Sequence, residues 1–429
     1  MVDGQLSAGE GGGRKRLIKA FLALISGVIG LGLAEGANRV RLSMKGKPYD
    51  AQVVRAELRR EFETVDQLGL AGSDKSKQGG RVLHPYTGFD LLPGLRQVSH
   101  DIEFYKTPEA DMGFEILLLG GSVANGFGRD SSVVFIDLLK QDERFVDREI
   151  RILRYGRASF KQPQQINSLI FLMSLGLRPD AVLNLDGFNE VAVANMNTKF
   201  DVHPLQPAVA QWSPSVVNLL DQEDTLDDLL DLRLLRLEVT KRAGQGLHSS
   251  FLWSSIVGNW WIGKVRAGRS QQIQQQEKLV TTFTKGQDNP VIRGPKWKGD
   301  VHDVMDLAVA TWKQASISMD AICRRRGMFY QHVLQPTLHA AVSKVPTQAE
   351  IRLGKASSQW LDAVQHGYPL LIEAGRELDE EGVHFLDGTP VFNDVSGSIY
   401  IDACHYNPTG QHLLAGAIAE AFLQNYEEL

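Results

Sequence analysis

The stretch EILLLGGSVANG, residues 115–126, decides the fold. From Ile116 to Leu119 it is apolar at every position, so it has no polar face to turn to water. That pattern suits a strand covered on both sides, as in a parallel sheet. Two glycines then allow a tight turn, and Ser122 opens the next segment. Working outward, SVVFIDLLK (132–140) has helical spacing, and REIRILRYG (148–156) is a second strand. PQQINSLIFLMSLG (163–176) is a helix and DAVLNLDG (180–187) a third strand. Strands alternating with helices at this spacing predict right-handed βαβ units and an α/β fold with a parallel sheet. The rhythm stops after Glu190 and returns with a helix over 301–325 and the strand MFYQHVLQP (328–336). A short strand VHFLDG (383–388) and a final helix over 408–425 complete it. The intervening 191–300 carries an amphipathic segment, LDDLLDLRLLRLEV (226–239), and a tryptophan-rich one, SSFLWSSIVGNWWIGKV (249–265). A connection so long carries structure of its own, and a largely helical insertion is expected.

In a parallel sheet the loops leaving the carboxyl ends of the strands line the active crevice. Here those ends read Gly120-Gly121-Ser122, Tyr155-Gly156-Arg157 and Asp186-Gly187-Phe188-Asn189, and the loop before the last helix reads Tyr400-Ile401-Asp402-Ala403-Cys404-His405. Each piece has a task in acyl transfer. A serine at a strand–helix turn can meet a carbonyl, and its N–H lies at a helix N-terminus, where it can hold an oxyanion. Gly156, without a side chain, can offer its N–H, and Asn189 its amide, to the same anion. His405 can take the Ser122 proton and return it to the leaving group, with Asp402 fixing the imidazole tautomer. Taken singly these signals are weak. A serine in a glycine-rich turn also occurs in phosphate loops, although GGSVANGFG lacks the P-loop lysine and the dinucleotide spacing. Glycines end strands routinely, and an isolated asparagine is more often a turn residue. Their order and common placement at strand ends give them weight.

With these four segments in hand, the sequence resembles the SGNH (GDSL-like) hydrolase family in its membrane-anchored bacterial form. The blocks appear in order as Gly120-Gly121-Ser122, Gly156, Gly187-Phe188-Asn189 and Asp402-Ala403-Cys404-His405. HPYTGFDLLPG (84–94) and VLQP (333–336) are similar to segments of the same family, and the resemblance spans 83–429 apart from the insertion. It implies a flavodoxin-like three-layer α/β/α sandwich. It also implies ester hydrolysis through an acyl-Ser122 intermediate, with no cofactor and no metal. One departure stands out, since the family's usual aspartate before the nucleophile is Gly121 here. The expected substrate is an acylated small molecule, saccharide or lipid. The same triad would equally serve an O-acyltransferase to a sugar, and a degenerate fold of this kind could act as a non-catalytic envelope scaffold.

The 429 residues are 43% hydrophobic and 23% charged with a net charge of −5, so no basic field favours nucleic acid as a partner. Two cysteines, Cys323 and Cys404, build no disulfide framework, and the histidines show no metal-ligand spacing. The predicted layout begins with a flexible basic tail (1–16) and an apolar run (17–34) read as a transmembrane signal anchor. A cleaved signal peptide or a buried helix are the rival readings of that run. A stalk and linker (35–82) and the hydrolase domain (83–429) follow. Basic residues flank the run on both sides, Arg14, Lys15 and Arg16 before it and Arg39, Arg41, Lys45 and Lys47 after it. The charge rule therefore leaves the side open; the expectation is a body on the exported side. Oligomeric state is left open.

Overall fold

The structure, a computed structural model, describes residues 26, 29–45, 48–66, 81–91, 113–212, 223–284 and 290–427. The chain divides into two compact units, residues 1–64 with 236–270, and residues 65–235 with 271–429.

The larger unit holds a hairpin, β1 (Arg81–His84) with β2 (Gly88–Leu91), and a five-stranded parallel sheet. The sheet strands are β3 (Phe114–Gly120), β4 (Ile150–Gly156), β5 (Ala181–Asp186), β6 (Phe329–Leu334) and β7 (Phe385–Asp387), in the order β4-β3-β5-β6-β7. Counted from β3 this is 2-1-3-4-5, a doubly wound order whose switch point lies between the first and third sheet strands. The apolar run that predicted β3 is used on both faces. Ile116 and Leu118 enter one core with helices α1 (Ser122–Asp130), α2 (Ser132–Leu139) and α7 (Pro408–Asn425). Leu117 and Leu119 enter the other with α3 (Gln164–Ser174), α4 (Phe188–Thr198), α5 (Val301–Arg325) and α6 (Leu361–Glu380). Helix boundaries follow local chemistry. Asp300 accepts from the N–H groups of His302 and Asp303 to start α5, and Arg324 and Arg325 sit in its last turn. Asn407 accepts from Gly410 N–H to start α7, with Pro408 in the first turn.

The smaller unit is helical among its described residues. Residues 29–44 form one helix and Ala51–Asp66 another, joined by parts of the helices Glu223–Leu247 and Ser255–Thr284. Val54, Leu58, Val239, Ala243, Leu252, Ile262 and Val265 make its core. Glu57 and Glu61 of the helix read as a stalk pair with Arg266 and Arg269. Gly246 permits this packing, since a Cβ there would meet Leu58 at 2.9 Å. Trp261 packs against the core, whereas Trp253 and Trp260 are exposed. Within 191–300, every element of the described residues is helical, and 191–198 belong to α4.

Of the apolar run 17–34, residues 17–25, 27 and 28 lie outside the described residues, as does the basic tail. Among the described residues, no helix is long and apolar enough to cross a membrane.

Candidate active site

The end of β3 is shaped by two glycines with different reasons. Gly120 has φ +136°, and a Cβ there would lie 2.0 Å from the Leu185 carbonyl of the neighbouring strand. Gly121 is extended, and its constraint is a side chain: a Cβ would lie 2.4 Å from Asn189 Nδ2. The departure noted in the sequence therefore has a local cause, because in this structure the space beside residue 121 is filled by the Asn189 amide. Ser122 is the first residue of α1, where backbone N–H groups have no intrahelical acceptor. Val123, Ala124, Phe127 and Gly128 are the buried residues of the helix.

Ser122 meets the loop before α7. Its Oγ is 2.7 Å from His405 Nε2, although the two residues are 283 positions apart. On the other side of the ring, His405 Nδ1 is 2.9 Å from both carboxylate oxygens of Asp402. Asp402 Oδ1 also accepts from the backbone N–H of Cys404 and of His405, at 3.0 and 2.9 Å, which holds the carboxylate over its own turn. The His405 and Asp402 side chains are about a third exposed. Burial alone would pull the imidazole down. The Asp402 carboxylate, then Cys404, outweigh it and hold the ring well above its ordinary value.

The loop is fastened from behind. Thr337 Oγ1 and Leu338 N–H donate to the Ala403 carbonyl at 2.7 and 2.9 Å, and Tyr406 Oη donates to Pro336 O at 2.6 Å. Buried Glu350 accepts from the N–H groups of Ile399 and Tyr400 and from Lys344 Nζ. Burial would raise that carboxyl, and the Lys344 ammonium with the backbone donors brings it below its ordinary value. A crevice lined by Val123, Gly126, Phe127, His405, Tyr406, Gln411 and Leu414 opens beside the imidazole.

Asn189 comes to the same place from β5. Gly187 (φ +117°) makes the turn, where a Cβ would collide with Leu334, and Asn189 lies in the first turn of α4. Its Nδ2 donates to Phe160 O at 2.8 Å, which uses one of two amide hydrogens. At Gly156 the structure shows close approach. A Cβ would lie 2.6 Å from Asn125 N in α1, and the Gly156 carbonyl accepts from Asn125 Nδ2 at 3.2 Å. The turn beyond it is braced by Asp90 of the hairpin, which accepts from Tyr155 Oη and Arg157 Nε at 2.7 and 2.5 Å.

Three contributors were not read from the sequence. Ser159, in the turn that presents the Phe160 carbonyl, has φ +68°, a left-handed conformation uncommon for a residue with a side chain. Glu190 accepts from Gly187 N–H at 2.9 Å and from Gln162 N–H at 3.2 Å. It thus ties the Asn189 turn to the segment after β4. Burial, then the charge of Asp186, push its carboxyl well above the usual range. Glu350 had a readable signal, since Thr347-x-x-Glu350 is a capping box in sequence and in structure. Among the described residues, the one grouping of three potential metal-ligand side chains is Asp402, Cys404 and His405 themselves, with ligand atoms within 4.8 Å of one another.

No family model and no curated protein sequence matches the chain. Two solved structures are similar to it at low identity. One is an alpha/beta hydrolase enzyme from the metagenome of Lake Arreo, Spain, 12% identical, with a TM-score of 0.33 over 74% of this chain and 98% of that one. The other is a mutant of an acetyl-xylooligosaccharide esterase from Geobacillus Stearmophilus, 11% identical, with a TM-score of 0.33 over 74% of this chain and 96% of that one.

Proposed function

We propose that the chain is a serine ester hydrolase of the SGNH type, acting on a small acyl group carried by a saccharide or lipid. The observation that carries this is the 2.7 Å contact of Ser122 Oγ with His405 Nε2, continued at 2.9 Å to Asp402. In the proposed reaction His405 takes the Ser122 proton as Oγ attacks the ester carbonyl. The negative oxygen is held by the Ser122 N–H, the second Asn189 amide hydrogen and the Gly156 N–H. His405 then protonates the leaving alkoxide, and in the second half it activates a water that releases the acid. Asp402 keeps Nδ1 protonated and stabilises the imidazolium. The crevice beside His405, lined by Val123, Gly126, Phe127 and Leu414, offers an apolar wall to the acyl group.

A fluorophosphonate probe tests the reading directly. It should label the protein covalently at Ser122, and Ser122→Ala should abolish both labelling and p-nitrophenyl acetate turnover. Equal turnover in the two proteins would remove the reading. The proposal extends to residues 17–34 as a membrane anchor with the body on the exported side. Labelling of an engineered surface cysteine in intact cells by a membrane-impermeant maleimide tests that side.

A further inference from the structure

The smaller unit displays aromatic side chains that its own packing forces outward. Leu252 is fully buried in the unit's core, and the two residues beside it, Phe251 and Trp253, are each 60% exposed. Their backbone is fixed rather than loose. Tyr49 Oη donates to Leu252 O and Arg39 Nη2 donates to Trp253 O, both at 2.5 Å. Glu35 accepts from Ser254 Oγ at 2.8 Å and from the N–H of Ser255 at 2.7 Å, the first residue of the helix Ser255–Thr284. A carboxylate at a helix N-terminus is a favourable, directional contact. Asn38 Nδ2 adds a bond to Ser255 Oγ at 2.8 Å. The aromatic loop is therefore clamped to the helix 29–44 at Glu35, Asn38 and Arg39.

That position matters because the apolar run of the sequence ends at Ala34. Its last residues, 29–34, already belong to this helix, and Ile29, Leu31 and Leu33 are 58%, 70% and 70% exposed. At about 1.5 Å rise per residue, the clamp at 35–39 lies roughly 2–8 Å beyond the end of the run. The polar layer on each side of a bilayer is about 5–7 Å thick. The same stretch carries exposed Arg39, and exposed Arg41 and Lys45 follow further on, charge that anionic headgroups attract. An amphipathic ring such as the Trp253 indole favours this depth, apolar enough to leave water and polar enough to stay near the headgroups, and Phe251 beside it adds apolar surface.

We propose that Phe251 and Trp253 sit in the headgroup layer of a lipid bilayer, an aromatic collar around the point where residues 17–34 leave the membrane. The proposal rests on the reading of 17–34 as an anchor, not on the esterase reading. The full chain, reconstituted into phosphatidylcholine–phosphatidylglycerol vesicles, supplies the test. An NBD fluorophore is attached at Trp253→Cys and, as a water-exposed reference, at Val345→Cys, where the native side chain is 84% exposed. The native Cys323 and Cys404 are buried, so labelling is directed to the introduced thiol. At 253 the probe should be quenched at least threefold more than at 345 by a lipid spin-labelled at headgroup depth, and less than at 345 by aqueous iodide. Iodide quenching equal at both sites would overturn the collar while leaving the anchor intact. Shielding at 253 from both quenchers would overturn it in favour of a protein covering that face. A chain that fails to float with the vesicles would remove the anchor and the collar together.

Discussion

The larger unit contains two chains of serine, histidine and aspartate, with the same order of partners but opposite ring nitrogens. At the carboxyl edge of the sheet, Ser122, His405 and Asp402 are joined by contacts of 2.7 and 2.9 Å. In the core, His332 Nδ1 is 2.7 Å from Ser316 Oγ, and His332 Nε2 is 2.9 Å from Asp186 Oδ1. The His405 side chain is 36% exposed and the His332 side chain 0%. Asp186 also accepts from Trp312 Nε1 at 2.7 Å and from Asn184 Nδ2 at 2.8 Å, both buried. Ser316 lies in the middle of α5, where backbone N–H groups are used by the helix, whereas Ser122 opens α1, where they have no intrahelical acceptor. Hydrogen-bond connectivity alone is thus a poor signature of catalysis. What separates the pair in the structure is exposure and the position of the serine at a helix start; under the proposed reaction these would give a carbonyl access and donors for its developing charge.

The comparison breaks most sharply at the two serines. Ser122→Ala should lower kcat/KM for an aryl acetate by about 10⁴–10⁶-fold, the range seen when a nucleophile of a triad is removed. Ser316→Ala should leave kcat/KM within about threefold, yet destabilise the fold by about 1–3 kcal/mol, because a buried imidazole nitrogen loses its partner. Urea denaturation beside steady-state kinetics reads both. A Ser316→Ala enzyme that is fully folded and inactive would mean that the buried chain takes part in the reaction.

Asp402→Asn is next in size, with an expected loss of about 10⁴-fold. A neutral His405 is needed as base, so the rate should rise with pH through the imidazole pKa. Because Asp402 holds that pKa well up, the wild-type midpoint should lie above about 6.5. In Asp402→Asn the midpoint should move to lower pH while the plateau falls. The same shift makes His405 a contributor to stability that is complete below about pH 6.5 and lost as pH rises through the folded value. A midpoint unmoved by the substitution would show that another group sets the profile.

Much of the site could be read in advance because each block sits where a strand ends, and strand ends are visible in sequence. The strand runs ending at Gly120, Gly156 and Asp186 mark three neighbouring strand ends, and the sheet pairs Gly120 with Gly156 and with Leu185, two residues before Gly187. His405 is three residues from its aspartate, so that pair needs only a turn. What escaped was partner choice over long range. Nothing in AQVVRAELRREFETV says that Val54 and Leu58 will pack against Val239 and Ile262, because an amphipathic helix specifies a face and not the surface that covers it. Nor does His332 in a strand announce Asp186 and Ser316, which arrive from a neighbouring strand and from a helix. The bracing by Glu190 escaped for a related reason. A lone glutamate in the sequence is most often solvated, and burial shows only in the fold.

The charge-holding side of the comparison is tested by Asn189 and Gly121. Asn189→Ala should cost about 10²–10³-fold in kcat, as loss of one oxyanion donor does. Gly121→Ala places a Cβ 2.4 Å from Asn189 Nδ2 and should displace that amide. Its loss should approach that of Asn189→Ala, and the double variant should be no worse than Asn189→Ala alone, since both act through one group. Additive losses would separate the two residues and remove the account given for the glycine.

The smallest effect is expected at Cys404, whose Sγ lies 3.6 Å from His405 Nδ1 on the side already occupied by Asp402. The sulfur is a weak hydrogen-bonding group and the carboxylate a strong, charged one, so Asp402 should dominate the ring. Cys404→Ser replaces the sulfur with a shorter and better hydrogen-bonding oxygen in nearly the same volume. The expected result is a change in kcat/KM of less than about fivefold and a pH midpoint that moves far less than in Asp402→Asn. The buried chain offers no counterpart, because both ring nitrogens of His332 are matched one to one by Ser316 and Asp186. A loss at Cys404 as large as that at Asp402 would mean that the catalytic ring is held by two groups together, and that its aspartate is not the separate orienting partner on which the comparison depends.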